Sequence, residues 1–340
     1  MTFDRSISRF CRQYLQLENH LDYPPDALLK LDEVQSVLYK NLFAHHALSH
    51  PPPERYQLKV LKELVAKIEQ SIDDWDQYGV SDDLMTSLSN LFLMKLPPET
   101  IVNQQKSYVT YTPSLLVNAS LSSCHCEPHI ALLEHRNILS ASGTTGLRTW
   151  DAALHLGNYL CAHPHLIRDK RVMELGAGPG YVSILCSKLL GAAHVIASDG
   201  SYEVLASLPE NVYLNGLQES DQIRPMEYQW GHALLGTEEQ EWNGGNPVDV
   251  ILGADVTYDP SILPPLLSTL QELKDLFPGA MTLIAATERN RDTFERFIRE
   301  CQRLNFDAIE LDFPLLPRED QNGPFFDDNL PIRICKIVRN

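Results

Sequence analysis

Apolar positions in the first hundred residues recur at intervals of three and four. Ile7, Phe10, Cys11 and Tyr14 fall on one helical face, as do Leu58, Leu61, Leu64, Val65 and Ile68, which predicts amphipathic helices packed on a shared core. Pro51-Pro52-Pro53 separates two helical stretches and Pro97-Pro98 ends another, because proline neither donates a backbone hydrogen bond nor fits a helix interior. Gly79 is the only glycine before Gly143. Between 101 and 125 the pattern turns β-like, with Ile101, Val102, Tyr108, Val109 and Tyr111 predicting strands or an edge hairpin.

From about residue 147 short apolar runs alternate with helical patterns. Strands are predicted at Arg171–Leu175, His194–Ser198, Met226–Trp230, Val248–Ala254, Ala280–Ala286, Phe306–Phe313 and Ile332–Val338, with helices such as Val182–Leu190, Pro260–Phe277 and Thr293–Leu304 between them. This alternation predicts an α/β domain around a mainly parallel sheet covered on both faces. The stretch Pro314–Pro331 holds no helical pattern. A connection without a crossover helix favours antiparallel pairing, so the last strand is expected antiparallel beside its predecessor. The predicted domains are a helical one over 1–105 and an α/β one over 106–340.

Composition narrows the function classes. The chain has 340 residues, 44% hydrophobic and 21% charged, an ordinary globular balance. Lys and Arg number 28 against 45 Asp and Glu, a net charge of −17. A basic coat for phosphate backbones is therefore missing, and no direct nucleic-acid partner is expected. The seven cysteines follow no framework spacing, which suits reduced thiols and a cytoplasmic protein. No apolar stretch approaches the ~18 residues of a membrane span, so no membrane partner is expected either.

The strongest local signal is Glu174-Leu-Gly-Ala-Gly-Pro-Gly180, where a predicted strand runs into a predicted helix. Ligands of such sheets bind beyond the carboxyl ends of the strands, and glycines there permit a tight turn and close backbone approach. A dinucleotide fingerprint needs a third glycine three residues after the second. That position is Tyr181, and the third glycine is instead Gly180. Asp199 ends the next strand, where a carboxylate can accept both ribose hydroxyls of a nucleoside. Its competing role is capping the helix that starts near Ser201. Glu174 is either an exposed charge at a strand end or a group that steers a ligand amine.

This pattern resembles the class I, seven-strand S-adenosylmethionine methyltransferases. Gly146-Leu-Arg-Thr-Trp150-Asp-Ala-Ala before the first strand, and Val248-Asp-Val-Ile-Leu-Gly-Ala-Asp255-Val-Thr-Tyr258-Asp around the fourth, resemble the protein-lysine methyltransferases with an Asp-x-x-Tyr motif. The helical extension and the tail Phe325-Phe-Asp-Asp-Asn-Leu-Pro-Ile-Arg-Ile are similar to the elongation factor 2 lysine methyltransferase branch. The resemblance implies a Rossmann-like, mostly parallel seven-stranded sheet with the last strand antiparallel. It also implies S-adenosyl-L-methionine as cofactor and elongation factor 2 as protein substrate; the helical domain is expected to dock that substrate, and the protein to act as a monomer.

Residue by residue, the resemblance puts Trp150 against the cofactor, Gly176, Ala177 and Gly178 under its methionine and ribose, and Trp230 and Ala254 beside its adenine. Trp150 would set an aromatic face beside a sulfonium; both tryptophans have core packing as the competing reading. Asp255 and Tyr258 match the Asp-x-x-Tyr pair. A free lysine, with a pKa near ~10.4, is almost wholly protonated at neutral pH and must lose a proton before attack. A carboxylate favours the charged amine. Asp255 is therefore expected to bind and aim the lysine rather than act as general base, with Tyr258 lining the channel; its competing role is capping the helix near Pro260.

Two rival functions remain open: a non-catalytic cofactor-binding module for a translation or assembly partner, and a small-molecule methyltransferase. Base methylation is disfavoured, since the loop after strand four lacks prolines between Asp255 and Tyr258 and the charge argues against a basic channel. Cys124-His-Cys126, with His129 and His135 beyond it, is too closely spaced for an ordinary zinc site, and no metal is expected. Gly143-Thr-Thr-Gly146 lacks the Lys-Ser/Thr ending of a phosphate loop and is read as a cover over the cofactor.

Overall fold

The computed structural model describes residues 5–98, 105–117, 127–135, 146–234, 243 and 245–340. Cys124 and Cys126, and the Gly143–Thr145 part of the expected cofactor cover, lie outside the described residues. The chain forms two compact units: Met1–Asn137 with Asn322–Phe325, and Ile138–Gln321 with Phe326–Asn340.

The first unit is built on helices Arg5–Leu15, Asp26–Leu29, Asp32–Leu38, Glu54–Ser71 and Asp82–Leu93. The three- and four-residue spacing places Phe10, Cys11, Tyr14, Leu61, Leu64 and Ile68 in one fully buried cluster. Burying each such large side chain stabilises the unit by about 1.5–3 kcal/mol. Strand β1 (Ser107–Tyr111) pairs antiparallel with β2 (Ile130–Glu134), Val109 opposite Leu132. This hairpin belongs to the helical unit, so the compact division falls at Asn137 and not at the expected 105. The buried Arg12 binds Glu127 through two nitrogens, at 2.8 and 2.6 Å, and donates to Asn322 O at 2.8 Å. Gln16 accepts from Phe325 N at 2.8 Å and donates to Phe325 O. Side chains of the first helix thus satisfy the polar backbone of the Asn322–Phe325 segment, which would otherwise be buried unpaired.

The second unit holds seven strands: β3 (Arg171–Leu175), β4 (His194–Asp199), β5 (Ile223–Glu227), β6 (Val250–Ala254), β7 (Met281–Thr287), β8 (Phe306–Glu310) and β9 (Ile332–Arg339). Their order is β5-β4-β3-β6-β7-β9-β8. The first five in this order pair parallel, and β9 runs antiparallel between β7 and β8. The unit has the expected Rossmann-like architecture. Strands β3, β4, β6 and β7 are near-continuous apolar runs because helices cover both faces. Strand order reverses between β3 and β6, and that switch point is where such sheets bind ligands.

Three strands differ from expectation by more than one residue: the one predicted at Phe306–Phe313 stops at Glu310, the one predicted from Val248 starts at Val250, and a third is shifted along the chain. The strand predicted at Met226–Trp230 is instead Ile223–Glu227, with Pro225 inside it. β5 is an edge strand, where a residue without an N–H is tolerated and alternation is loose. Trp230 therefore stands three residues beyond the strand, in the following turn.

Candidate functional site

A cavity of about 590 Å³ opens at the carboxyl ends of β3, β4 and β6, within the second unit. Its volume lies in the range of small-molecule sites. All ten residues singled out in the sequence line it: Trp150, Glu174, Gly176, Ala177, Gly178, Asp199, Trp230, Ala254, Asp255 and Tyr258.

The glycine loop forms its floor. Gly176, Gly178 and Gly180 have φ of 68°, 53° and 95°, conformations that residues with a Cβ rarely adopt. A Cβ on Gly176 would sit 3.0 Å from Val256 and 3.3 Å from the Trp230 ring, and one on Gly178 would sit 3.3 Å from Gly146 O. The loop is pinned by Ala177 N donating to Ser198 O at 2.9 Å and by Gly178 N donating to Asp199 Oδ2 at 3.1 Å.

The two acids differ in surroundings. Asp199 Oδ1 accepts from Ser201 N at 2.9 Å, while Ser201 itself is the N-cap of helix Tyr202–Leu214. The carboxylate thus ties the turn and still lines the cavity; burial pushes its pKa up, against three backbone N–H groups that lower it. Glu174 is almost fully buried and accepts from Ser183 Oγ. Burial lifts its pKa to about 8, and the exposed-charge reading does not hold. Trp150 and Trp230 are both half-buried and line the cavity, unlike fully packed core tryptophans.

Asp255 follows β6 in a left-handed conformation, φ 54°. Its N donates to Ala285 O at 2.8 Å, and its carboxylate accepts from Thr287 N at 2.9 Å, Thr287 Oγ1 at 3.1 Å and Arg289 Nη2 at 3.1 Å. The helix after it begins only at Leu263, with Ile262 as N-cap. Helix capping is therefore not its role; the carboxylate is anchored to the end of β7. Tyr258 is 51% exposed at the rim. Sequence reading missed Arg289, which lines the cavity. Its place just after β7, among the ligand-bearing strand ends, was the available signal.

The site suits a nucleoside sulfonium. A floor that side chains would fill, a carboxylate with acceptor capacity left for ribose hydroxyls and two aromatic walls match the chemistry of that group. Fold and site together define a class I S-adenosylmethionine-dependent methyltransferase. A family model described as lysine methyltransferase matches residues 136–304. The protein-lysine N-methyltransferase EFM3 of Chaetomium thermophilum is 53% identical over 332 residues, covering 98% of this chain and 97% of that protein. EFM3 of Saccharomyces cerevisiae is 32% identical over 62% of this chain and 66% of its own length. The human protein-lysine N-methyltransferase EEF2KMT is 26% identical over 90% and 86%. The chain belongs to this lysine methyltransferase family, and it is a protein-lysine N-methyltransferase that uses S-adenosylmethionine.

Proposed function

We propose that this enzyme methylates a lysine of elongation factor 2. The observation that carries the acceptor assignment is Asp255 and Tyr258 opening onto the same cavity as the glycine loop and Asp199. The substrate reading rests on the resemblance of Gly146-Leu-Arg-Thr-Trp150 and the Phe325-Phe-Asp-Asp tail to the elongation factor 2 branch, together with the match to EFM3 over nearly the whole chain.

When bound, S-adenosylmethionine supplies a methyl group on a sulfonium, which an amine lone pair takes while the sulfur keeps the bonding pair. Asp199 would hold the ribose hydroxyls, Gly176, Ala177 and Gly178 would let the backbone approach the cofactor, and Trp230 and Ala254 would flank its adenine. Trp150 would lie against the cofactor, and Glu174 would hold its methionine amine from inside the sheet. Asp255 accepts an N–H of the lysine and aims its lone pair, and Tyr258 walls the channel. The proton leaves to water. Acceleration comes mainly from alignment in a dry site.

The helical unit serves substrate docking, as a block without cofactor residues, and the enzyme acts as a cytoplasmic monomer. No helix among the described residues is long and apolar enough to cross a membrane. Asp255→Asn tests the acceptor assignment: on the alkaline plateau it should strongly reduce methylation of elongation factor 2 with little change in cofactor affinity. Transfer at the wild-type rate would remove Asp255 from the channel.

A further inference from the structure

Two arginines with no assigned role, Arg148 and Arg289, lie against Trp150. Arg289 donates to Asp255 Oδ2 at 3.1 Å, and its guanidinium lies 4.8 Å from the centre of the Trp150 ring. Arg148 lies 4.6 Å from the same ring. Asp151, the first residue of helix Asp151–Ala162, is raised in pKa mainly by its burial, with Arg148 and Arg289 opposing and Asp255 and Asp327 reinforcing the rise. Tyr258 stands at the rim, while Glu288 beside Arg289 is taken up by Arg333. Asp199 and Glu174 line the cofactor part of the same cavity.

An ionised carboxylate beside an incoming lysine holds the amine protonated, raising its pKa by about one to three units. Methyl transfer needs the opposite. The geometry resolves this conflict, because the Asp255 carboxylate does not stand alone. Its side chain is 6% exposed and paired with a guanidinium that is itself 36% exposed. A planar guanidinium can hydrogen-bond a carboxylate and lie against an indole at once, which an ammonium cannot do equally well.

We propose that Arg289 is a positioning residue for methyl transfer, holding Asp255 against the end of β7 and partly offsetting its charge so that the acceptor end of the site favours a neutral amine. Asp255 keeps acceptor capacity to aim an amine N–H while the guanidinium offsets part of the carboxylate's pull on the amine proton. The proposal rests on the reading that Asp255 lines the acceptor channel.

The test is single-turnover methyl transfer by the full chain to purified elongation factor 2, at saturating cofactor, followed from about pH 6.5 to 9.5 so as to span partial deprotonation of the bound lysine. Arg289→Ala should move the rising limb of the rate to higher pH by about one unit, costing about tenfold at neutral pH with recovery in alkali. Arg289→Gln, neutral but still a donor to Asp255, should move it the same way and serves if the alanine variant fails to fold. Arg289→Lys should leave the limb in place whatever it does to the plateau. Asp255→Asn should move the limb to lower pH while lowering the plateau. A uniform loss in Arg289→Ala and Arg289→Gln, with the limb still moved by Asp255→Asn, would overturn the role of Arg289 alone. A limb unmoved in every variant would overturn the acceptor-channel reading as well.

Discussion

Replacing Asp199 by alanine removes a carboxylate whose oxygens accept from Gly178 N at 3.1 Å and Ser201 N at 2.9 Å. An ionised carboxylate offers about four acceptor positions, so capacity remains for ligand hydroxyls. Hydrogen bonds to a charged group are worth about 1.5–3 kcal/mol. At about 1.4 kcal/mol per tenfold, Asp199→Ala should weaken S-adenosylmethionine binding by about ten- to a hundredfold. Calorimetric titration of the full chain measures this, with a ligand-free thermal melt as control because the variant also orphans the backbone N–H groups that bind this carboxylate. Asp199→Asn keeps one acceptor oxygen and should lose less. The pH dependence has a definite sign. Burial raises the ligand-free pKa of Asp199, whereas hydroxyls donating to it favour the charged form. Affinity should therefore fall as pH drops through the ligand-free pKa, and this dependence should vanish in Asp199→Ala. Unchanged affinity in an Asp199→Ala protein that melts like the wild type would refute ribose recognition by this residue.

Glu174 ionises at about 8 when folded, against 4.5 ordinarily; its stabilising contribution is full below the ordinary value and is lost as pH rises through about 8. Wild-type Tm should fall relative to that of Glu174→Gln across this window, and parallel Tm curves would contradict the burial argument. Arg12→Ala leaves the buried Glu127 without its ion-pair partner and should destabilise the fold by about 3–5 kcal/mol in chemical denaturation, a loss under 1 kcal/mol counting against it. Tyr258→Phe keeps the ring at the rim and loses only the hydroxyl, so methylation should fall by less than about tenfold with cofactor affinity intact; a collapse of affinity would place Tyr258 on the cofactor instead.

The site was legible where chemistry and backbone geometry coincide in consecutive residues. Gly176, Gly178 and Gly180 need left-handed φ angles, and the acid at the next strand end follows at a fixed interval, so the loop could be read from the chain alone. The β5 register is less legible, because an edge strand tolerates Pro225 and loose alternation, while Met226-Glu-Tyr-Gln-Trp230 carries the apolar–polar alternation of a strand. The partner of β1 also escaped. Ile130–Glu134 is a short apolar run whose pairing with 107–111 depends on tertiary placement. Arg289 was invisible for a related reason: its meaning comes from Asp255 and Trp150, both far from it in sequence and brought together only at the ends of β6 and β7.

Methyl transfer from S-adenosylmethionine to a lysine of elongation factor 2 is tested most directly with the purified proteins. Purified enzyme, labelled cofactor and elongation factor 2 from cells lacking this activity should yield label on a lysine side chain, mapped by peptide mass spectrometry, and Asp255→Asn should yield little. Elongation factor 2 left unlabelled by a folded, cofactor-binding enzyme, with label appearing on another protein or a small molecule of the same lysate, would contradict the substrate assignment.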